Sequence, residues 1–160
     1  AHAINMAMKE AAKDLSALVN LQILHQTGEK DVAVVTDGYR EAGVKSSVVP
    51  FIHDMAGAYA VADLVISRSG ATTVAELAVC GKRAVLIPFP FAADNHQEYN
   101  ARTLAARGNA EVIVQKDLTA QMLAALIKKY VTAGAFSADR MENTAATEIV
   151  RICKEHVQKN

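Results

Sequence analysis

The feature that most limits the fold of this chain is its alternation of short apolar runs with longer amphipathic segments. Short apolar runs are typical of buried strands, whereas apolar residues spaced by three and four indicate helices that pack through one face. Alternation of the two predicts βα units that assemble into a parallel sheet. The predicted fold class is therefore α/β, with a Rossmann-like parallel sheet flanked by helices.

The pattern also gives approximate bounds for the elements. Strands are predicted at Leu21–His25, Ser47–Pro50, Leu64–Ser67, Ala84–Pro88 and Glu111–Val114. Helices are predicted at Asp54–Ala60, Thr73–Cys80, Asn95–Arg107, Thr119–Tyr130 and Thr144–Val157. Segment Glu29–Ala42 is ambiguous, because its four consecutive apolar residues suit a buried strand while Val35 and Tyr39 share one helical face. We expect a helix there.

Composition narrows the function classes. A chain of 160 residues with 51% hydrophobic residues is long and apolar enough for one packed domain. Its 17 basic and 17 acidic residues leave no excess positive charge to neutralise phosphates, which disfavours nucleic-acid binding. Cys80 and Cys153 have no zinc-ligand spacing and form no disulfide framework, so a reducing cytoplasm is expected.

The beginning of the sequence predicts a piece of a longer protein. Helical spacing of apolar residues begins directly at Ile4. A doubly wound domain usually opens instead with a strand and a glycine-rich turn. We therefore expect that residues 1–160 form one C-terminal domain, and that a first strand, a glycine-rich loop and an N-terminal domain precede it.

A loop between a predicted strand and a predicted helix, from Ser67 to Glu76, has the composition of a phosphate-binding turn. Gly70 allows close approach of a ligand to the backbone, and N–H groups at a helix start attract anions. Hydroxyl groups of Ser69 and Thr72 are further candidate donors. This composition predicts a diphosphate cradle that contains no Walker lysine.

A purely structural interpretation of the same loop stays open. Thr73 and Glu76 have the spacing of a capping box, in which the Glu side chain bonds back to the cap residue. The sequence of the loop alone does not exclude this interpretation.

The loop after the strand Ala84–Pro88 also carries a cluster of polar groups at a predicted helix start. These residues are Asp94, Asn95, His96 and Gln97. Such a cluster suits a polyhydroxylated ligand. The structural alternative is again capping, with Asp94 as the N-cap and Gln97 three residues later. His96 is equally compatible with an ordinary surface position.

Phe51 follows another predicted strand and directly precedes a helix that we expect to be capped by Asp54. An aromatic ring at this place suits stacking on a nucleobase, while backbone groups of Ile52 can bond to the base edge. The alternative is a core position, because Phe is among the commonly buried residues.

Taken together, these loops resemble the donor-site motifs of the MurG family of glycosyltransferases. The resemblance rests on motifs in the family's order and spacing, which are Phe51 to Met55, Tyr59 to Asp63, Ser67 to Ala71 with Thr73 and Glu76, Pro88, Asp94 to Gln97, and Asn100-Ala101. It extends from about Ala1 to the final helices. Residues 1–5 resemble the tail of the family's glycine-rich loop.

The resemblance implies the C-terminal half of a GT-B glycosyltransferase, in which two Rossmann-like domains face each other across a cleft. Phe51 would then cap the uracil of UDP-N-acetylglucosamine, and the Ile52 backbone would read its edge. Arg68 would order or neutralise the site, and Glu76 would accept hydrogen bonds from the ribose. The residues expected to contact the donor are Phe51, Ile52, Met55, Arg68, Ser69, Gly70, Ala71, Thr72, Thr73, Glu76, His96, Gln97 and Asn100.

Within that set, the resemblance assigns Ser69, Gly70 and Ala71 to the diphosphate. His96 and Gln97 would meet the sugar, Gln97 more directly, with Asn100 in a secondary role. The sequence departs from the family pattern at two positions. His53 stands where an acidic or polar residue is common, and Thr72 where a larger aliphatic residue is frequent.

The implied reaction is transfer of N-acetylglucosamine, with inversion, to the 4-hydroxyl of undecaprenyl-diphosphate-linked muramyl-pentapeptide in peptidoglycan synthesis. No cofactor and no obligatory metal are implied, since donors at a helix start stabilise the leaving diphosphate. The acceptor site and the catalytic base would belong to the N-terminal domain. The resemblance further implies a peripheral enzyme on the cytoplasmic face of the bacterial inner membrane, and an isolated chain with little or no activity.

Two alternatives remain at this point. A UDP-N-acetylglucosamine 2-epimerase or another GT-B enzyme would share the nucleotide-binding geometry, although no convincing set of acid and base carboxylates is evident. A non-catalytic or separately encoded donor-binding subunit would also suit this length. A dehydrogenase is disfavoured, because no Gly-x-Gly-x-x-Gly motif follows a strand.

Overall fold

The computed structural model describes residues 1–133 and confirms the α/β fold. Its helices are α1 (His2–Leu15), α2 (Val32–Glu41), α3 (Met55–Val61), α4 (Ala71–Cys80), α5 (His96–Ala105) and α6 (Ala120–Thr132). Its strands are β1 (Ile23–Gln26), β2 (Ser46–Val49), β3 (Val65–Ser67), β4 (Ala84–Leu86) and β5 (Ala110–Val112). None of these described helices is long and apolar enough to cross a membrane.

The predicted elements agree closely with the structure. The predicted strands and helices that fall within residues 1–133 are all present, with ends that differ by at most two residues. The ambiguous segment Glu29–Ala42 is helical, as expected. The side chains of Val35 and Tyr39 on its inner face are fully buried, whereas Val34 is exposed. The predicted helix Thr144–Val157 lies outside the described residues.

All five strands of the described region run parallel, in two groups. β1 pairs with β2, and β3, β4 and β5 pair in that order. A groove of about 620 Å³ lies between the two groups. Its walls include Ile23 of β1 and Ile66 of β3, together with Ile4 of α1 and Ile127 of α6.

The core lies on both faces of the sheet, and the alternation of side chains along β4 and the next residue, Ile87, explains why. Val85 and Ile87 belong to a cluster with side chains of α1, α2 and α6. Ala84 and Leu86 belong to a second cluster, with side chains of α3, α4 and α5. All four are fully buried. A strand buried on both faces requires a helical layer on each side, which is the three-layer α/β arrangement.

We expect Leu123→Ala to lower the free energy of unfolding by about 2–5 kcal/mol, because it opens a cavity in the first cluster. Leu123 of α6 is fully buried, while its neighbour Met122 is 40% exposed. The matched control Met122→Ala should cost no more than about 0.5–1 kcal/mol. Urea unfolding of both variants measures the difference. Equal losses would contradict the assignment of the inner face of α6.

Candidate functional site

The candidate site lies at the carboxyl edge of the parallel strands. Parallel strands end at the same edge, so the loops that lead into α2, α3, α4 and α5 start there. The described loops are joined to one another by side-chain hydrogen bonds. This edge is therefore an ordered surface on which several helices begin.

Helix α4 begins earlier than the sequence predicts, and this removes the capping-box interpretation. Its N-cap is Gly70, so Thr73 and Glu76 both lie inside the helix. Oε2 of Glu76 instead accepts a hydrogen bond from the hydroxyl of Tyr59 on α3, at 3.0 Å. Burial, reinforced by this contact with Glu76, raises the pKa of Tyr59 to about 12, so the phenol stays a donor at neutral pH. Glu76 itself remains exposed.

Gly70 is partly exposed to solvent. Its φ of −60° is accessible to any residue. Apart from its chain neighbours, no described atom lies within 4 Å of the position that a Cβ would occupy. The next residues, Ala71 and Thr72, are exposed, and Thr73 is half-buried. The first amide groups of a helix have no acceptor inside it, so the start of α4 offers N–H donors beside open space.

The hydroxyl of Ser69 does not point toward that space, contrary to the expectation that it is a ligand donor. Ser69 is fully buried, and its Oγ donates to the backbone oxygen of Gln97 at 2.7 Å. Nδ2 of Asn100 donates to the backbone oxygen of Ser69 at 3.2 Å. Both bonds join the start of α4 to α5. Ser69 and Asn100 therefore hold the turn.

Arg68 ties together the ends of neighbouring strands. Its Nη1 donates to the backbone oxygens of Ile87 at 3.1 Å and Pro88 at 2.9 Å, and its Nη2 donates to Oε1 of Gln115. The guanidinium also lies 5.5 Å from the centre of the Phe89 ring. Partial burial lowers the pKa of Arg68. Of the two roles expected for Arg68, these contacts favour ordering of the loops.

The loop before α5 contains two consecutive non-glycine residues in the left-handed region, Asp94 at φ 49° and Asn95 at φ 52°. Asn95 is the N-cap, and no side-chain capping bond is present at this helix start among the described residues. The predicted capping pair of Asp94 and Gln97 is therefore wrong. Oε1 of Gln97 accepts instead from the backbone N–H of Phe89, at 3.0 Å.

His96 is exposed at the first turn of α5. Its Nδ1 lies 2.7 Å from the backbone oxygen of Ala93. A carbonyl oxygen only accepts, so Nδ1 must carry the proton. In the neutral ring this leaves Nε2 as an acceptor, which suits a sugar hydroxyl.

The loop before α3 presents an aromatic ring to solvent. Phe51 is 59% exposed, so the core interpretation of this residue is wrong. Its ring contacts His53 edge to face, with 5.1 Å between the ring centres. Asp54 caps α3 as predicted, since its Oδ1 accepts from the Gly57 N–H at 2.8 Å. Met55 packs inward against the second core cluster, which gives it a supporting position rather than an exposed one.

Sequence reasoning missed a polar network behind this edge, centred on His25. Nδ1 of His25 lies 2.7 Å from the hydroxyl of Tyr39, and its Nε2 lies 3.0 Å from Oδ1 of Asn5. Nδ2 of Asn5 donates to the backbone oxygen of Thr27 and to Oδ2 of Asp31. The signal in the sequence is the polar run from His25 to Thr27 at the end of an apolar strand.

Burial lowers the pKa of His25 from 6.5 to about 4, so the ring is neutral at pH 7. An amide oxygen accepts, so Nε2 donates to Asn5 and Nδ1 accepts from Tyr39. The donor and the acceptor of each hydrogen bond are therefore assigned. Together these bonds link α1, β1 and α2. Among residues 1–133 no cluster of three His, Cys, Asp or Glu side chains is arranged to hold a metal ion.

The chain is similar to known proteins of one family. The model of the glycosyltransferase family 28 C-terminal domain matches residues 1–156. The crystal structure of MurG from Acinetobacter baumannii is similar, with a TM-score of 0.75 and 41% identity over 82% of this chain and 38% of that one. A glycotransferase of kitacinnamycin, at 21% identity and a TM-score of 0.62, shares the fold.

Two curated relatives carry the name UDP-N-acetylglucosamine--N-acetylmuramyl-(pentapeptide) pyrophosphoryl-undecaprenol N-acetylglucosamine transferase. The one from Anaeromyxobacter sp. strain Fw109-5 is 48% identical over 99% of this chain and 44% of its own length. The one from Thermodesulfovibrio yellowstonii is 52% identical over 81% of this chain and 36% of its own length. The chain thus spans less than half the length of these relatives.

We expect the stability of the fold to fall as the pH drops from 6.5 toward 4, because of His25. In that window the unfolded chain binds a proton on this residue and the folded chain does not, so the free energy of unfolding rises with pH. The full effect is up to ~3 kcal/mol at 1.36 kcal/mol per pKa unit.

Urea unfolding at several pH values between 7 and 4.5 measures this dependence. His25→Asn should flatten the profile, whereas the exposed control His96→Asn should leave it as in the wild type. A His25→Asn variant with an unchanged profile would show that other groups produce the dependence.

Proposed function

This chain belongs to the family of glycosyltransferase family 28 C-terminal domains, and from that membership we propose that it holds UDP-N-acetylglucosamine for a sugar transfer. The names of its relatives support this donor. The whole protein would transfer N-acetylglucosamine to the muramyl 4-hydroxyl of undecaprenyl-diphosphate-linked muramyl-pentapeptide in peptidoglycan synthesis. Because that acceptor is anchored in a lipid, the enzyme would work at a membrane surface, and the family resemblance implies the cytoplasmic face.

The observation that carries the proposal is the start of α4. Gly70 has neither a left-handed backbone nor a crowded Cβ position, so the fold does not require glycine there. Absence of a side chain matters only if something else approaches the backbone closely. A diphosphate fits this place, because the helix dipole and the free N–H groups from Ala71 onward attract an anion.

Glu76 is suited to hold the ribose. The Tyr59 hydroxyl occupies Oε2 and fixes the orientation of the carboxylate. Each carboxylate oxygen has two lone pairs, so Oε1 remains available to a diol. Glu76 also lies about 1.7 turns beyond the N-cap Gly70, within reach of a ribose attached to the diphosphate.

The remaining contacts follow from the loops on either side. Phe51 supplies an exposed ring for the uracil, with the Ile52 backbone beside it. His96 and Gln97 begin α5, which Ser69 joins to the start of α4, and this adjacency suits them to the sugar. Arg68, Asn100 and Met55 act indirectly, by holding these loops in place.

In the proposed reaction the acceptor 4-hydroxyl attacks C1 of N-acetylglucosamine from the face opposite the diphosphate. The new C1–O bond forms as the bond from C1 to the diphosphate breaks, and the configuration inverts. The hydroxyl proton passes to a base outside this chain. Negative charge grows on the departing UDP, where the amides at the start of α4 stabilise it without a metal ion.

An NMR titration of this chain with UDP-N-acetylglucosamine tests the proposal. Amide shifts should concentrate in Phe51–Met55, Arg68–Glu76 and Asp94–Asn100, and UDP should compete. Shifts confined to other loops at saturating donor would refute the site.

Gly70→Val should weaken binding at least tenfold with little change in melting temperature, because its side chain would enter open space.

We expect Glu76→Gln to weaken donor use by the whole protein about ten- to a hundredfold, because one charged acceptor becomes an amide with a single acceptor oxygen. The melting temperature should barely change, since a Gln oxygen still accepts from Tyr59. The matched control Glu98→Gln, on α5, removes an exposed pair with Arg102 and should leave donor KM unchanged. Steady-state kinetics measure both variants. An unchanged donor KM and kcat/KM in Glu76→Gln would refute the ribose contact.

A further inference from the structure

The last residue of β1, Gln26, makes a hydrogen bond that joins two loops of the carboxyl edge. Its Oε1 accepts from the backbone N–H of Ile52 at 2.8 Å, although the two residues lie 26 positions apart in sequence. An N–H group needs an acceptor, so this bond also fixes which end of the Gln26 amide faces Ile52. The side chain of Gln26 is otherwise exposed.

This bond extends the pairing of β1 with β2 beyond the strand ends. Thr27 N–H donates to the Val49 oxygen at 3.0 Å, and Gly28 N–H donates to the Pro50 oxygen at 3.1 Å. These two bonds continue the contact between the two segments past the ends of β1 and β2. The Gln26 side chain supplies the next hydrogen bond, directly after Pro50.

The backbone on both sides of Gln26 is held by buried, hydrogen-bonded neighbours. The preceding residue, His25, is buried and bonded on both ring nitrogens, to Tyr39 and to Asn5. The following residue, Thr27, is buried, and its backbone oxygen accepts from Asn5 at 2.9 Å. Gln26 therefore projects from a backbone that is fixed on both sides.

The loop that it holds has few other restraints. Phe51 is 59% exposed, and its described ring contact is the edge of His53. Ordering a loop costs conformational entropy, and a loop already ordered in the free protein avoids that cost on binding. The bond to Ile52, the residue next to Phe51, is therefore suited to order Phe51 and Ile52 before a ligand binds.

We propose that Gln26 is a positioning residue for nucleobase recognition, which acts by holding the Ile52 backbone so that Phe51 and Ile52 are arranged before the nucleotide arrives. This inference rests on the proposed function, because it assumes that the base binds at the Phe51–Ile52 loop. It assigns no contact between Gln26 and the ligand, and because Gln26 occupies the Ile52 N–H, the Ile52 oxygen is the backbone group left for the base edge.

Two variants of Gln26 separate positioning from direct contact. Gln26→Leu removes the acceptor, whereas Gln26→Glu keeps an oxygen that accepts from Ile52 N–H but loses the amide donors. We expect Gln26→Leu to raise the Kd for UDP about five- to tenfold, as for one lost neutral hydrogen bond. Gln26→Glu should restore the Kd to within about twofold. The Kd for inorganic pyrophosphate should stay the same in both, because pyrophosphate does not use the base loop.

Hydrogen exchange of the Ile52 amide provides an independent readout in the absence of ligand. Exchange should be faster in Gln26→Leu and near wild type in Gln26→Glu. The control Gln22→Leu alters another exposed Gln, just before β1, and should change neither exchange nor UDP affinity. If Gln26→Glu binds UDP as weakly as Gln26→Leu while its Ile52 amide stays protected, the positioning role is overturned in favour of direct contact.

Failure of this inference can be distinguished from failure of the proposed function. If UDP does not shift the amides of Phe51–Met55 in the wild-type chain, the base does not bind there and the proposed function fails. If those amides shift and Gln26→Leu still binds UDP with wild-type affinity, the site stands and only the role of Gln26 is refuted.

Discussion

Burial of β4 on both faces is the constraint on which the rest of the structure depends. The three side chains of β4 and that of Ile87, directly after it, are fully buried and alternate between the cluster of α1, α2 and α6 and the cluster of α3, α4 and α5. Helices are therefore needed on both sides, and each connection must cross from one end of the sheet to the other. Every loop after a strand then emerges at the same edge. The location of the candidate site follows from the packing of the core.

At that edge the polar side chains mainly bind the protein itself. The hydroxyl of Ser69, the guanidinium of Arg68 and the amide oxygen of Gln97 all bond to backbone or side-chain groups of neighbouring loops. Among the groups that remain exposed there are the main chain at the start of α4, the carboxylate of Glu76 and the ring of Phe51. Such a surface suits a ligand that combines an anion, a diol and a flat base, because each exposed group matches one of those parts.

The sequence predicted the elements well because apolar periodicity reports burial directly, as in α2, where Val35 and Tyr39 lie inside. It predicted helix starts less well. Both capping alternatives are wrong. The start of α4 is joined to α5 through Ser69, and the turn before α5 has Asp94 and Asn95 in the left-handed region. Exposure of Phe51 and the bond from Gln26 to Ile52 depend on which strands are neighbours. No local pattern in the sequence encodes that arrangement.

The contrast between two glycines of one helix has a consequence for mutational scanning. Gly81, after the last residue of α4, has a left-handed φ of 61°, where a side chain strains the backbone. Gly70, at the other end, has an ordinary φ and open space around it. A library selected for cellular abundance would reject most substitutions at residue 81 and accept many at residue 70. Only selection for binding would reveal the importance of Gly70, so tolerance in an abundance screen says little about this end of the helix.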